Sequence, residues 1–181
     1  MTMPSQHKAA CVLKNSGIVA HQTDTILGLA CLPINKLLVR LSNIKKRPHD
    51  KSFILLASSY EQISSYIIAD DKTSKTLRCP TKLPTTWLVQ PSENISHHLL
   101  GPSHKIAIRI TSYPPIKLLC EQVGAIASTS ANISNQAGCT NPQQIRQMFG
   151  PNIDYVDPNQ TPGTGKSSTI IDLSSGNIIR R

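Results

Sequence analysis

The sequence predicts a single α/β domain over residues 1–181, built on a mixed β-sheet with flanking helices, and three observations carry the prediction. Short apolar runs that read as strands alternate with helical stripes along the chain, the pattern of an α/β fold. The last two apolar runs, "STIIDL" and "NIIRR", are separated only by Ser174-Ser175-Gly176, so the sheet ends in neighbouring strands and is mixed. A length of 181 residues without an internal repeat suits one core rather than two.

The elements follow in order. "SGIVAHQTDTILGLAC" reads as a strand, a polar turn at Thr23-Asp24-Thr25, and then a second strand or a short helix that contains Gly28. "NKLLVRLSNIKKRP" has apolar residues at positions 37, 38, 41 and 44, a helical stripe, with Asn35 as N-cap and Pro48 beyond the end. "SFILLA" is a short buried strand, and after it Ser58 and Glu61 have the spacing of a capping box, which predicts a helix through "SSYEQISSYI". "LPTTWLVQP" and "KIAIRI" are strands, and in the second Lys105, Ala107 and Arg109 alternate with three isoleucines, giving one cationic face. Pro114-Pro115 opens a helix through "IKLLCEQ", and "GAIAS" is again a strand. Asn141-Pro142 as N-cap and first helical position, with Gly150 past the end, frames a helix over "QQIRQMF".

Composition narrows the function classes. No apolar run reaches the ~18 residues of a membrane span, and "MTMPSQHKAACVLKN" lacks the succession of a secretory signal, so the expected location is cytoplasmic. The odd count of five cysteines, widely spaced and without a C-x-x-C pair, encodes neither a disulfide framework nor a zinc ribbon. His97, His98 and His104 have no companion Cys or carboxylate cluster and read as a solvated loop, so no metal site is expected. Against 10 acidic residues stand 19 Lys and Arg, a formal charge of +9, which implies anionic partners such as nucleotide or RNA.

Four polar clusters fall at the ends of predicted elements: Thr23 to Thr25, Lys45 to Lys51, Arg109, and Ser128 to Asn132. Strand ends are where open α/β sheets bind ligands. The cations Lys45, Arg47, Lys51 and Arg109 suit phosphates and a carboxylate, and the small residues of "STSAN" admit a ligand close to backbone and hydroxyl groups. A solvated charge run after a helix, and a strand end whose Ser and Asn bond their own backbone, are the plain alternatives. "TPGTGKSST" contains the Gly-Lys-Ser core of a phosphate-binding loop, but Gln160 stands where that motif needs glycine and a strand follows in place of a helix. No Ser-His-Asp or Cys-His arrangement is visible, and the nearby carboxylates are chiefly Asp24 and Asp50. A cation-rich, carboxylate-poor site fits catalysis by positioning anions, as in nucleotidyl or phosphoryl transfer.

Together these pieces resemble the YrdC-like family of threonylcarbamoyl-AMP synthases, in its short single-domain bacterial form. The K-x-R signature is Lys45-Lys46-Arg47, followed by Lys51, and S-x-N is Ser130-Ala131-Asn132; "VAHQTDTILGL" is similar to "YPTDTVYGL", "KIAIRI" to "VAVRIP" and "STIIDL" to "STIVDL". The resemblance runs in order along almost the whole chain. It implies a twisted sheet with a concave, positively charged site, and a reaction that joins L-threonine, bicarbonate and ATP into threonylcarbamoyl-AMP and pyrophosphate. Other proteins, the threonylcarbamoyl-transferase complex, use that product to modify tRNA next to the anticodon.

By the same resemblance Arg47 and Lys51 hold ATP phosphates, with Lys45 adding charge as a catalytic partner of Arg47. Ser130, Asn132 and Ser168 contact the nucleotide, and Thr23, Arg109 and Ser128 hold threonine, Arg109 pairing with its carboxylate. Mg2+ is expected to accompany ATP. The chain departs from the family pattern at Gln22, at Leu27, at "TKLP" over positions 81–84 where the family has W-P-G-P, and at Asn135 where it has glycine. The rival readings are a non-enzymatic member that binds double-stranded RNA or tRNA by backbone and shape, and a carbamoyl-transfer module of the kind found inside larger chains.

Overall fold

The structure is a computed structural model and describes residues 5–48, 51–79, 81–158, 160 and 163–180; Asp50 lies outside the described residues. Helix α1 (Ser5–Lys14) leads into β1 (Val19–His21) and β2 (Gly28–Cys31), then α2 (Asn35–Ile44), β3 (Ile54–Ala57), α3 (Asp71–Arg78), β4 (Thr85–Val89) and β5 (Ile106–Ile110). Helix α4 (Pro114–Val123), β6 (Ile126–Ser130), α5 (Pro142–Phe149), β7 (Tyr155–Val156), β8 (Thr169–Asp172) and β9 (Ile178–Arg180) complete the chain. All the strands join one twisted, mixed sheet in the order β7-β1-β2-β6-β3-β5-β4-β8-β9. The pairs β1–β7, β3–β5 and β4–β8 are parallel and the others antiparallel, β8–β9 among them as its short connection requires.

Local chemistry explains most helix ends. Asn141 Oδ1 accepts from the Gln144 N–H at 2.9 Å, Pro142 starts α5, and Gly150 at φ 53° ends it. Asp70 caps α3 through the Thr73 N–H at 2.7 Å, with Asp71 in the first turn and Lys75 and Arg78 in the last, each sign placed to suit the helix dipole. Two expectations fail. Ile34, not Asn35, is the N-cap of α2, and the Asn35 side chain instead accepts from Ser96 Oγ at 2.8 Å. The Ser58–Glu61 spacing starts no α-helix: Glu61 pairs with Arg78, the Ser58 N–H donates to Gln62 Oε1 at 3.0 Å, and the segment holds only a 3-10 turn at Ser64–Tyr66. A capping box needs the Glu side chain to turn back to the cap, and a strong cation elsewhere takes it.

The strands bury both faces. Leu29, Cys31, Leu55, Ala57 and Ala127 pack with α2 and α5, whereas the alternate residues Val19, Ala30, Leu56 and Ile126 pack with Ala9, Leu13, Ile116 and Leu119 of α1 and α4. That period of two assigns every strand residue to a side. On the α1/α4 side the residues that continue these rows are small: Gly28, Ala107, Ser128 and Ser130. Cross-strand neighbours Ala30, Ser128, Ile54, Ala107 and Leu88 form one row across β2, β6, β3, β5 and β4. The side chains at Gly28, Ala107, Ser128 and Ser130 are too small to fill the space over this side of the sheet, which leaves a hollow there.

Candidate active site

The hollow is a cavity of about 570 Å³, inside the ~300–1,000 Å³ range of small-molecule sites. Thr23, Lys45, Arg47, Lys51, Arg109, Ser128, Ser130, Asn132 and Ser168 all line it, so the sequence-predicted candidates meet at one place. Its described lining contains no Asp or Glu.

Two loops build the cationic wall. One leaves α2 through Lys45 and Lys46, whose φ of 48° turns the chain, and the other follows β6. They join where the Ser134 N–H donates to the Lys45 carbonyl at 2.9 Å and where Lys45 Nζ donates to the Ser130 and Asn132 carbonyls and, at 3.2 Å, to Asn132 Oδ1. The Lys45 residue is 1% exposed. Burial first, and the charges of Arg47 and Lys51 after it, pull its ammonium down to about 7, while the three oxygens at Nζ favour the charged form. Lys45 thus fastens the S-x-N loop from beneath, a role its place in a charge run does not reveal.

Arg47 is fixed with its guanidinium 4.9 Å from the Phe53 ring centroid, donating to Thr129 Oγ1 at 2.9 Å and to the Lys51 and Ser52 carbonyls. Lys51 Nζ donates to Asn135 Oδ1 at 2.9 Å. Asn135 has φ 66°, the left-handed region that glycine enters freely and asparagine tolerates better than most residues. The replacement of the family's glycine is therefore absorbed, and it supplies an acceptor for Lys51. Ser130 Oγ donates to Asn132 Oδ1 at 2.5 Å, and the Asn132 amide donates to Gln136 O at 2.8 Å, so both residues are held by their own loop.

On the opposite wall Arg109, 5% exposed, is ion-paired with Asp24 and lies 3.5 Å from Thr25 Oγ1. Thr23 Oγ1 donates to the Ile26 carbonyl at 2.6 Å and accepts the Thr25 N–H at 3.0 Å, which closes the turn between β1 and β2. Ser128 Oγ is 2.8 Å from Nε2 of the buried His21. Ser168 Oγ is 2.8 Å from Thr86 Oγ1, and its carbonyl accepts from the Arg180 guanidinium at 3.0 Å and 3.3 Å.

The Gly-Lys-Ser segment behaves as its flanks imply. A strand follows it, the Thr164 and Gly165 N–H groups donate to the Asp24 and Thr25 carbonyls at 3.0 Å and 2.9 Å, and a Cβ on Gly163 would stand 2.2 Å from the Asp24 backbone. The Thr164 and Gly165 amides thus close the 23–25 turn, while Ser167 and Ser168 line the cavity. The altered turn at 81–84 lines a second cavity of about 600 Å³, which shares Arg109 with the first. Gln22 donates to the Tyr113 hydroxyl, and Leu27 is buried in the core. Sequence reasoning missed His21 and Arg180. The signal for His21 was a polar residue closing the apolar run "GIVAH"; for Arg180 it was a basic residue on the final strand.

No cluster of His, Cys, Asp or Glu able to hold a metal occurs among the described residues. All five cysteines are free, and burial pushes the Cys31 and Cys120 thiols up to about 12, which leaves them inert. What the cavity fits is a ligand rich in anionic oxygens, met by fixed guanidiniums, ammoniums and hydroxyls, which places the protein among the α/β proteins that bind nucleotides or phosphorylated ligands.

Comparison makes this specific. The family model named for Sua5, YciO and YrdC, described as telomere recombination, matches residues 11–181, and the chain belongs to that family. Threonylcarbamoyl-AMP synthase of Histophilus somni (strain 2336) is 35% identical, over 93% of this chain and 94% of its own. The enzyme of the same name from Idiomarina loihiensis is 32% identical over 98% of both chains. Among solved structures, Sua5 of P. abyssi complexed with L-threonine superposes with a TM-score of 0.85 at 24% identity, covering 96% of this chain and 53% of that one. YciO of E. coli gives 0.79 at 20% identity, covering 99% and 91%. The two solved structures establish the fold.

Proposed function

We propose that this protein is an L-threonylcarbamoyladenylate synthase, a nucleotidyltransferase that forms threonylcarbamoyl-AMP and pyrophosphate from L-threonine, bicarbonate and ATP. Its product serves the threonylcarbamoyl-adenosine modification of tRNA. The observation that carries the reading is the convergence of Arg47, Lys51 and Arg109 with the S-x-N loop on one cavity whose described lining holds no Asp or Glu, in a chain whose relatives, matched over nearly their full length, bear that enzyme's name. Those relatives are named as enzymes, which disfavours a purely RNA-binding role.

In this reading Arg47 and Lys51 receive the ATP phosphates, while Ser130, Asn132 and Ser168 contact the nucleotide. Arg47 is rigid because stacking on Phe53 and its carbonyl partners fix it, so it loses little freedom when a phosphate binds. Arg109 receives the threonine carboxylate, with Thr23 and Ser128 beside it. The threonine nitrogen combines with bicarbonate, losing water, to give a carbamate. A carbamate oxygen then attacks the α-phosphorus, the bond to the bridging oxygen breaks, and pyrophosphate leaves.

Fixed cations offset the charge that builds on the leaving group. Mg2+ enters on the ATP phosphates as part of the substrate, since Mg2+ is commonly bound by phosphates, water and few carboxylates. The protein works as one YrdC-like domain over residues 1–181 in the cytoplasm, handing its product to the threonylcarbamoyl-transferase proteins and through them to tRNA; no helix among the described residues is long and apolar enough to cross a membrane. The test is mass-spectrometric detection of threonylcarbamoyl-AMP with ¹³C-bicarbonate. The label is expected in the adenylate, and a folded, ATP-binding protein that makes no labelled adenylate would overturn the reading.

A further inference from the structure

His21 has no part in the scheme above, yet it touches the cavity through Ser128. Its ring is 5% exposed at the end of β1, opposite Gly28 of β2, where a Cβ would approach Nε2 to 2.6 Å and Cε1 to 2.9 Å. The missing side chain at Gly28 is the space the imidazole fills. Nε2 lies 2.8 Å from Ser128 Oγ, and Nδ1 is buried with no well-formed hydrogen bond. Burial holds the imidazole well below its usual range, at about 4, with Arg109 adding to the effect. The Gln22 main chain acts in the opposite sense, as a carbonyl facing an imidazole N–H does.

The 2.8 Å contact between Nε2 and Ser128 Oγ has two possible directions, set by the tautomer of the ring. A neutral imidazole with its proton on Nδ1 offers only a lone pair at Nε2. The cations on the cavity side favour the oxygen end of the hydroxyl facing them. We propose that His21 is a positioning residue that accepts the Ser128 hydroxyl proton, so that Ser128 Oγ faces the cavity as an acceptor for the side-chain hydroxyl of the amino-acid substrate. The proposal rests on the threonine reading of the site and adds a source of its selectivity. A site built to accept a substrate O–H rejects the isostere that lacks it, because its acceptor is left unpaired.

The experiment measures threonine-dependent pyrophosphate release, with valine and serine as alternative substrates, in wild-type, His21→Phe and His21→Gln proteins. His21→Phe keeps a ring and removes the acceptor, and is expected to raise the threonine KM by roughly three- to tenfold, the range of one neutral hydrogen bond. It should leave kcat and the ATP KM unchanged and narrow the preference for threonine over valine, while His21→Gln, which restores an acceptor, recovers part of the KM. Long-range ¹H–¹⁵N spectra of the wild-type chain, with His21 assigned from the His21→Gln spectrum, are expected to show a neutral ring protonated at Nδ1. A ring protonated at Nε2, or a His21→Phe protein with unaltered threonine KM and selectivity, overturns the proposal. Wild-type protein that releases pyrophosphate without regard to threonine would instead overturn the reading on which it rests.

Discussion

Lys45→Met separates the two contributions a buried lysine makes. The ammonium is enclosed by Ser130 O, Asn132 O and Asn132 Oδ1. Lowering its pKa from 10.5 to about 7 corresponds to about 5 kcal/mol against the charged form, from burial first and from the Arg47 and Lys51 charges after it. Methionine removes that penalty and keeps most of the volume, but it strips the donor from two main-chain carbonyls at about 1–3 kcal/mol each. The opposing contributions nearly cancel, so urea unfolding should show a stability change within about 2 kcal/mol of zero. The loop from Ser130 to Asn135, by contrast, loses its fastening, and with it the placement of the nucleotide contacts and of the Lys51 partner. Adenylate formation should fall by about 100-fold or more, chiefly through a higher ATP KM, as expected when a positioned site loosens. A Lys45→Met protein destabilised by more than about 4 kcal/mol would make Lys45 a keystone of the fold. Activity within threefold of wild type would refute the fastening role altogether.

Other outcomes follow from the same geometry. Gly28→Ala places a Cβ 2.6 Å from His21 Nε2 and 3.1 Å from the Thr129 carbonyl, so calorimetry should show destabilisation of about 1–3 kcal/mol from overpacking; an unchanged melting temperature would mean the ring has another place to go. Arg109→Lys keeps the charge beside Asp24 but loses the planar fork, and steady-state kinetics should show a threonine KM raised at least about tenfold with the ATP KM unaltered. Equal effects on both substrates would remove Arg109 from the amino-acid side. With a folded pKa of about 4 against 6.5 unfolded, His21 binds its proton more readily in the unfolded chain, so it costs no stability above pH 6.5 and about 3 kcal/mol as pH falls from 6.5 to 4. His21→Phe should flatten that part of a stability-versus-pH curve, and an unchanged acid limb would show that the burial of His21 carries no such cost.

Where a residue's local chemistry and its tertiary setting agree, the sequence was readable. Asn141, Pro142 and Gly150 frame α5, and Pro114-Pro115 opens α4, because these effects are complete within a few residues. Helices α1 and α3 escaped notice: α1 buries only Ala9, Ala10 and Leu13, and α3 only Leu77, stripes too thin to register as periodic. Ser58–Glu61 misled because Arg78, 17 positions from Glu61 in sequence, captures the carboxylate. The candidate residues line one cavity, because the motifs that single them out mark the loops around it. What each side chain does there depended on partners far away in the chain. Lys45 looks like any cation in "IKKRP" until the carbonyls 85 and 87 residues away close around it, and His21 has no meaning without Ser128, 107 residues on.

Pyrophosphate release from ATP, measured with purified protein and bicarbonate in the presence and absence of L-threonine, bears most directly on the activity. Release that depends on threonine, and that Arg47→Ala abolishes while the variant remains folded, is the predicted result. Release indifferent to threonine, or none from protein that binds ATP, would contradict the assignment of this cavity to threonylcarbamoyl-AMP synthesis.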